Sequence, residues 1–94
     1  MHPAPDSTAC VLVTGASSGI GEAIAREYAR RGQPLVLTAR RRDRLERLGA
    51  ELASQVPVTV LPADLADPGA PARLVEEIHA RGLRVGTLVN NAGY

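Results

Sequence analysis

Thr14-Gly15-Ala16-Ser17-Ser18-Gly19-Ile20-Gly21 joins a continuous apolar run, Ala9 to Val13, to a segment with helical periodicity, and no other stretch limits the possible folds as much. A glycine-rich turn between a strand and a helix lets backbone N–H groups approach a pyrophosphate closely, and the positive end of the helix adds favourable partial charge. Each glycine then has its own task. Gly15 allows the tight turn, Gly19 the close approach of a ligand, and Gly21 the close packing of helix on strand, by analogy with the G-x-G-x-x-G dinucleotide fingerprint. Ser17 and Ser18 add hydroxyl donors within the turn, and Ile20 belongs to the same cradle.

The spacing, T-G-x-x-x-G-x-G, differs from that fingerprint. No lysine follows where a Walker A loop needs one, so nucleoside triphosphatase chemistry has no support. The octet resembles the phosphate turn of the short-chain dehydrogenase/reductase family. A second resemblance lies near the other end, where Asn90-Asn91-Ala92-Gly93 matches that family's N-N-A-G motif directly after the apolar run Thr87 to Val89. Two motifs at this separation make coincidence remote, and the likeness spans essentially the whole chain.

Ninety-four residues form at most one small domain, and a chain of this size buries only ~60 to 70% of the surface its unfolded form exposes. Hydrophobic residues make up 45% without Phe or Trp, so Val, Leu, Ile and Ala must fill the interior. A formal net charge of +1 argues against bulk attraction to nucleic acid or to an anionic membrane. No run has the apolar length of a membrane span. Residues 1–8, with Pro3 and Pro5, read as a flexible lead without signal-peptide character, and the expected location is cytoplasmic. Cys10, the single cysteine, reads as a small buried hydrophobe. His2 and His79 have no neighbours that suggest a metal site and are expected to face solvent.

Ala9 to Val13 has the character of a strand buried on both faces. From Ile20 the positions Ile20, Ala23, Ile24 and Tyr28 mark an apolar helical stripe, with Glu22–Arg26 and Glu27–Arg31 at i,i+4 spacing on the polar side. Gly32 ends that helix. Leu35 to Thr38 is a second strand, and Leu45, Leu48 and Leu52 are the buried stripe of a helix that closes before Pro57. Val58 to Leu61 is a third strand. Asp67-Pro68 has N-cap and N1 chemistry for a helix burying Leu74, Val75 and Ile78, with Gly82 as its C-cap. Leu83 to Val85 is ambiguous, and Thr87 to Val89 is the fourth strand. The order β-α-β-α-β-α-β calls for an α/β, Rossmann-like, doubly wound parallel sheet of order 3-2-1-4, a partial dinucleotide-binding domain over residues 9–94. That order sets the octet and the Asn90–Gly93 loop on either side of one crevice at the topological switch point, where open α/β sheets bind ligands.

The end of the second strand selects the nucleotide. NAD enzymes commonly place a carboxylate there for the ribose 2′-hydroxyl. Here the sequence reads Thr38-Ala39-Arg40-Arg41-Arg42. A guanidinium can pair with a 2′-phosphate through two charge-assisted bonds, which favours NADP over NAD, with Arg40 and Arg41 as ligands and Arg42 in solvent. A run of arginines is commonly just a solvated face, yet these sit at a helix N-terminus, where the macrodipole disfavours cations. The family resemblance further implies that Asp64-Leu65 contacts adenine and that Asn90, Ala92 and Gly93 line the nicotinamide-side ribose. Asn91 is expected to tie the sheet together.

In the family, hydride transfer depends on a Ser and a Tyr-x-x-x-Lys motif after N-N-A-G, with the lysine lowering the tyrosine pKa. This chain contains no lysine, and its tyrosines are Tyr28 and Tyr94. No catalytic residue carries over, and substrate-selecting segments lie beyond the matched part. The expectation is therefore the N-terminal cofactor-binding part of an NADP-dependent oxidoreductase. Its carbonyl or alcohol substrate would be met only in a full-length form, usually a homo-oligomer in the family. A degenerate or non-catalytic nucleotide-binding module is the open alternative. An edge left bare after the fourth strand would expose apolar surface. The isolated 94 residues are expected to show no NADPH-dependent carbonyl reduction; turnover by the purified chain, abolished by substitution in the octet, would refute this.

Overall fold

The computed structural model describes residues 9–91, so the expected lead (residues 1–8), Ala92, Gly93 and Tyr94 lie outside the described residues. The elements run β1 (Ala9–Thr14), α1 (Gly19–Arg30), β2 (Leu35–Thr38), α2 (Arg42–Leu52), β3 (Val58–Val60), α3 (Ala70–Ala80) and β4 (Arg84–Asn90). All strand pairings are parallel and the order is β3-β2-β1-β4, as the alternating pattern requires.

Side chains of the central strands alternate between two cores. Val11 and Val13 of β1, with Leu35 and Leu37 of β2, pack against Ala25 and Ala29 of α1 and Leu45, Leu48 and Leu52 of α2. Cys10 and Leu12 point the other way with Val36, toward Leu74 and Ile78 of α3. Burial on both faces explains the unbroken apolar runs of β1 and β2. It also raises the pKa of the Cys10 thiol by desolvation, so Cys10 behaves as the buried hydrophobe expected. Gly32 and Gly82 follow α1 and α3 with φ of 77° and 70°, the left-handed conformation that lets a helix end without steric penalty.

Several expectations about local structure need correction. The inward row of α1 is Gly21, Ala25 and Ala29, with Ile24 and Tyr28 half-buried, whereas Ala23 is exposed and Ile20 is 69% exposed. Small residues at i, i+4 and i+8 bring the helix close to the sheet, a signal that hydrophobicity alone ranks below a row of Ile. Asp67 does not cap α3, whose N-cap is Gly69 and whose first turn contains Pro71. The Asp67 carboxylate accepts from the Gly69 amide at 3.2 Å and from Arg73 at 2.8 Å, contacts that hold its pKa below the ordinary value. It closes the turn before the helix. Finally, β4 is longer than Thr87 to Val89 and takes in the ambiguous segment from Arg84, because a register shift opposite Cys10/Val11 absorbs Gly86 without ending the ladder.

β4 pairs with β1 alone among the described strands. Leu88 lies beside Leu12 and Val85 beside Cys10, so both share the α3 face. They are 60% and 38% exposed. Val75 of α3, expected to be buried, is 51% exposed.

Leu45 is fully buried and joins α2 to the sheet. Leu45→Ala is expected to destabilise the chain by about 2–5 kcal/mol, read as a lower denaturant midpoint; an unchanged midpoint would contradict this packing.

Candidate cofactor-binding site

The β1–α1 turn is built by a closed set of hydrogen bonds. Gly15 adopts φ 64°, which reverses the chain directly after β1. The Ser18 hydroxyl donates to the Gly15 carbonyl at 2.9 Å and accepts from the Gly21 amide at 3.3 Å, which makes Ser18 the N-cap of α1. Its single proton is thereby committed. Ser17 is half-buried, and its hydroxyl makes no bond to the turn. The amides of Gly19 and Ile20, in the first turn of α1, meet no acceptor among the described residues.

Strand order brings the end of β4 against this turn. The Asn91 side-chain amide donates to Ser18 Oγ at 2.9 Å and to the Gly15 carbonyl at 3.3 Å. Its backbone N–H donates to Thr14 Oγ1 at 2.9 Å, and the Thr14 hydroxyl donates to Asn90 Oδ1 at 3.0 Å. Asn91 has the tying role expected of it. Thr14 was not singled out as a site residue, although a hydroxyl at the strand end, opposite an Asn on the adjoining strand, is the available signal. A Cβ on Gly21 would collide with the Gly15 carbonyl and lie 2.8 Å from Asn91 Nδ2. One on Gly19 would meet nothing within 4 Å. The backbone around Gly21 thus needs the missing side chain, while Gly19 keeps the outer surface of the turn open.

The loops after β1, β2 and β3 lie side by side, since the Ala16 amide donates to the Thr38 carbonyl at 3.1 Å and the Ala63 amide to the Ala39 carbonyl at 3.0 Å. Ser17, Arg40 and Asp64 therefore stand in one row along the carboxyl ends of the strands. Arg40 is exposed, and Arg41 is the N-cap of α2 with no side-chain cap bond. Neither meets a carboxylate among the described residues. Asp64 accepts from the Ala66 amide at 3.0 Å, which fixes its loop, and Leu65 packs half-buried on the α3-side core. Asn90 is exposed at the end of β4, on the α1-turn side of the crevice.

A cavity of about 340 Å³ opens between α1 and α2 and includes Ser17. A larger one, about 560 Å³, lies beyond β3 between α2 and α3. Of the cofactor-binding residues expected from sequence it includes only Asp64, and two of its arginines, Arg73 and Arg81, are spent on Asp67 and Glu77. The strand-end row carries the anion-binding features, and the larger cavity does not. Among the described residues no cluster of His, Cys, Asp and Glu could hold a metal ion, and no helix is long and apolar enough to cross a membrane. His79 is exposed.

Gly21→Ala is expected to destabilise by about 1–3 kcal/mol through overpacking, while Gly19→Ala leaves stability unchanged or slightly raised. Equal melting temperatures for the two variants would contradict the close approach described.

Residues 9–94 match the family described as short chain dehydrogenase. The sulfoacetaldehyde reductase of Chromohalobacter salexigens is 45% identical over 86 residues, which are 92% of this chain and 34% of that protein. Among solved structures, a short-chain dehydrogenase from Sphingobium yanoikuyae in complex with NADPH superposes with a TM-score of 0.79 at 49% identity, covering 90% of this chain and 34% of the other. The L-sorbose reductase of Gluconobacter frateurii, complexed with NADPH and L-sorbose, gives a TM-score of 0.85 at 38% identity over 92% of this chain and 34% of that one. The chain thus spans about a third of the length of these relatives.

Proposed function

The chain belongs to the short-chain dehydrogenase family, and from that premise we propose that it is the N-terminal, NADP-binding portion of an oxidoreductase acting on a carbonyl or alcohol. The observation that carries this reading is the rigid β1–α1 turn, locked by Asn91, standing beside arginines that pair with no carboxylate among the described residues. The NADPH complexes of two relatives, each about a third covered by this chain, support the choice of nucleotide.

The residues fit such a cofactor. The unbonded amides of Gly19 and Ile20 suit a pyrophosphate, strengthened by the dipole of α1. Gly15, Ser18 and Gly21 shape that turn. Ser17, Arg40 and Arg41 suit the 2′-phosphate, Asp64 and the Leu65 backbone the adenine, and Asn90 with Ala92 and Gly93 the nicotinamide-side ribose. Ile20, exposed at the mouth of the turn, offers an apolar surface to a ring. NADPH, once bound, supplies the hydride. The residues of this chain hold and orient it, and none of them is assigned to proton transfer, in keeping with the absence of lysine.

A hydrogen bond to a charged group contributes about 1.5–3 kcal/mol. Arg40→Ala is accordingly expected to weaken NADPH binding by roughly one to two orders of magnitude while NADH binding stays nearly constant. Equal losses for both nucleotides in a titration would remove Arg40 from the 2′-phosphate.

A further inference from the structure

Ten of the chain's eleven arginines fall into two groups. Arg26, Arg30, Arg31, Arg73 and Arg81 each meet a carboxylate, and Arg26 bridges α1 to α2 by pairing with both Glu22 and Glu51. Arg40, Arg41, Arg42, Arg44 and Arg47 meet none among the described residues, although Asp43 and Glu46 lie within the same segment at helical spacing from Arg47 and Arg42. Three unpaired guanidiniums, those of Arg41, Arg42 and Arg44, therefore crowd the cap and first turn of α2, where the macrodipole opposes them, and Arg47 follows one turn on. Exposed helical arginines commonly settle for i,i+4 partners. These do not.

The unpaired residues also face different spaces. Arg42 lines the cavity beyond β3, with Asp64 and Asp67. Arg44 and Arg47 line the 340 Å³ cleft between α1 and α2 together with Ser17 of the phosphate turn, Glu22, Arg26 and Leu48. Both carboxylates near that cleft, Glu22 and Glu51, are occupied by Arg26. What remains is a cationic wall opposite Ser17. Because Ala16 is hydrogen-bonded to Thr38, Ser17 lies next to the end of β2 from which Arg40 projects.

We propose that Arg44, backed by Arg47, is a second reader of the 2′-phosphate, approaching it from the α1–α2 cleft on the Ser17 side while Arg40 approaches from the end of β2. This rests on the NADP reading above and adds to it a specificity residue on the body of α2. Two guanidiniums on different elements hold a dianion from two directions, and discrimination against NADH no longer depends on one side chain. Relief of the helix-dipole conflict accompanies binding of the 2′-phosphate alone, because NADH brings no charge to that position.

The test titrates the full chain with NADPH and with NADH, comparing wild type with Arg40→Ala, Arg44→Ala, Arg44→Gln, Arg47→Ala and the Arg40→Ala/Arg44→Ala double variant. Arg42→Ala makes the same charge change one residue outside α2's cleft-facing set and controls for net charge. Arg44→Ala and Arg44→Gln are expected to weaken NADPH about tenfold and Arg47→Ala severalfold, with NADH unchanged and Arg42→Ala silent. The double variant should lose less than the two single losses combined, as side chains sharing one phosphate are coupled. An Arg44 effect no larger than that of Arg42, or equal for both nucleotides, overturns the proposal. If Arg40→Ala alone reduces NADPH binding, the proposal fails and the NADP reading stands. If wild type does not prefer NADPH, the NADP reading fails and takes this proposal with it.

Discussion

The contact between the β1–α1 turn and the end of β4 is the point on which the site depends. Thr14, Gly15, Ser18 and Asn91 form one hydrogen-bonded unit across two parallel strands that are 73 or more residues apart in sequence at their points of contact. Its formation requires β4 to insert beside β1 and not beside β3, so the topological switch and the phosphate turn arise together. Asn91 consumes the carbonyl of Gly15 and the hydroxyl of Ser18 that would otherwise point into the turn, which leaves amides as its exposed polar groups. Gly21 completes the arrangement by omitting the one side chain that would push α1 away from Gly15. The result is a turn whose Gly19 and Ile20 amides meet no acceptor among the described residues, as an anion site requires.

In the proposed function, electrostatics distinguishes one nucleotide from the other. In the proposed reading the amides of the turn take the pyrophosphate, which both nucleotides share, and the 2′-phosphate falls to Ser17 and the arginines at the carboxyl end of β2 and the start of α2. Among the described residues none of these arginines is paired with a carboxylate. Elsewhere Arg26, Arg30, Arg31, Arg73 and Arg81 are each paired with glutamate or aspartate. The chain's net charge of +1 conceals this local imbalance, so composition alone gives no indication of it.

Much of the fold was legible because its strongest signals are local. Continuous apolar runs marked β1 and β2, the leucine stripe marked α2, and glycines placed the ends of α1 and α3 correctly. The failures on the helices come from ranking residues by hydrophobicity, which follows size, whereas close packing does not. Ile20 outweighed Gly21, Ala25 and Ala29, yet only the small residues fit against the sheet. Val75 is apolar, yet it lies on the outer side of α3 and is exposed. The bulge at Gly86 and the turn closed by Asp67 depend on pairing partners that periodicity does not contain. Within the site, the octet and Asn90–Asn91 were readable as motifs, while the bonding of Thr14 and the separation of Arg42 from Arg44 by cavity emerged only from three dimensions.

The central claim, that the turn locked by Asn91 and the adjoining arginines form one dinucleotide site, is tested most directly by a crystal structure of the full chain with NADPH. The pyrophosphate is expected within hydrogen-bond distance of the Gly19 and Ile20 amides, with the 2′-phosphate against the Arg40 guanidinium. Density for the nucleotide in the cavity between α2 and α3, with the β1–α1 turn in solvent, would contradict it.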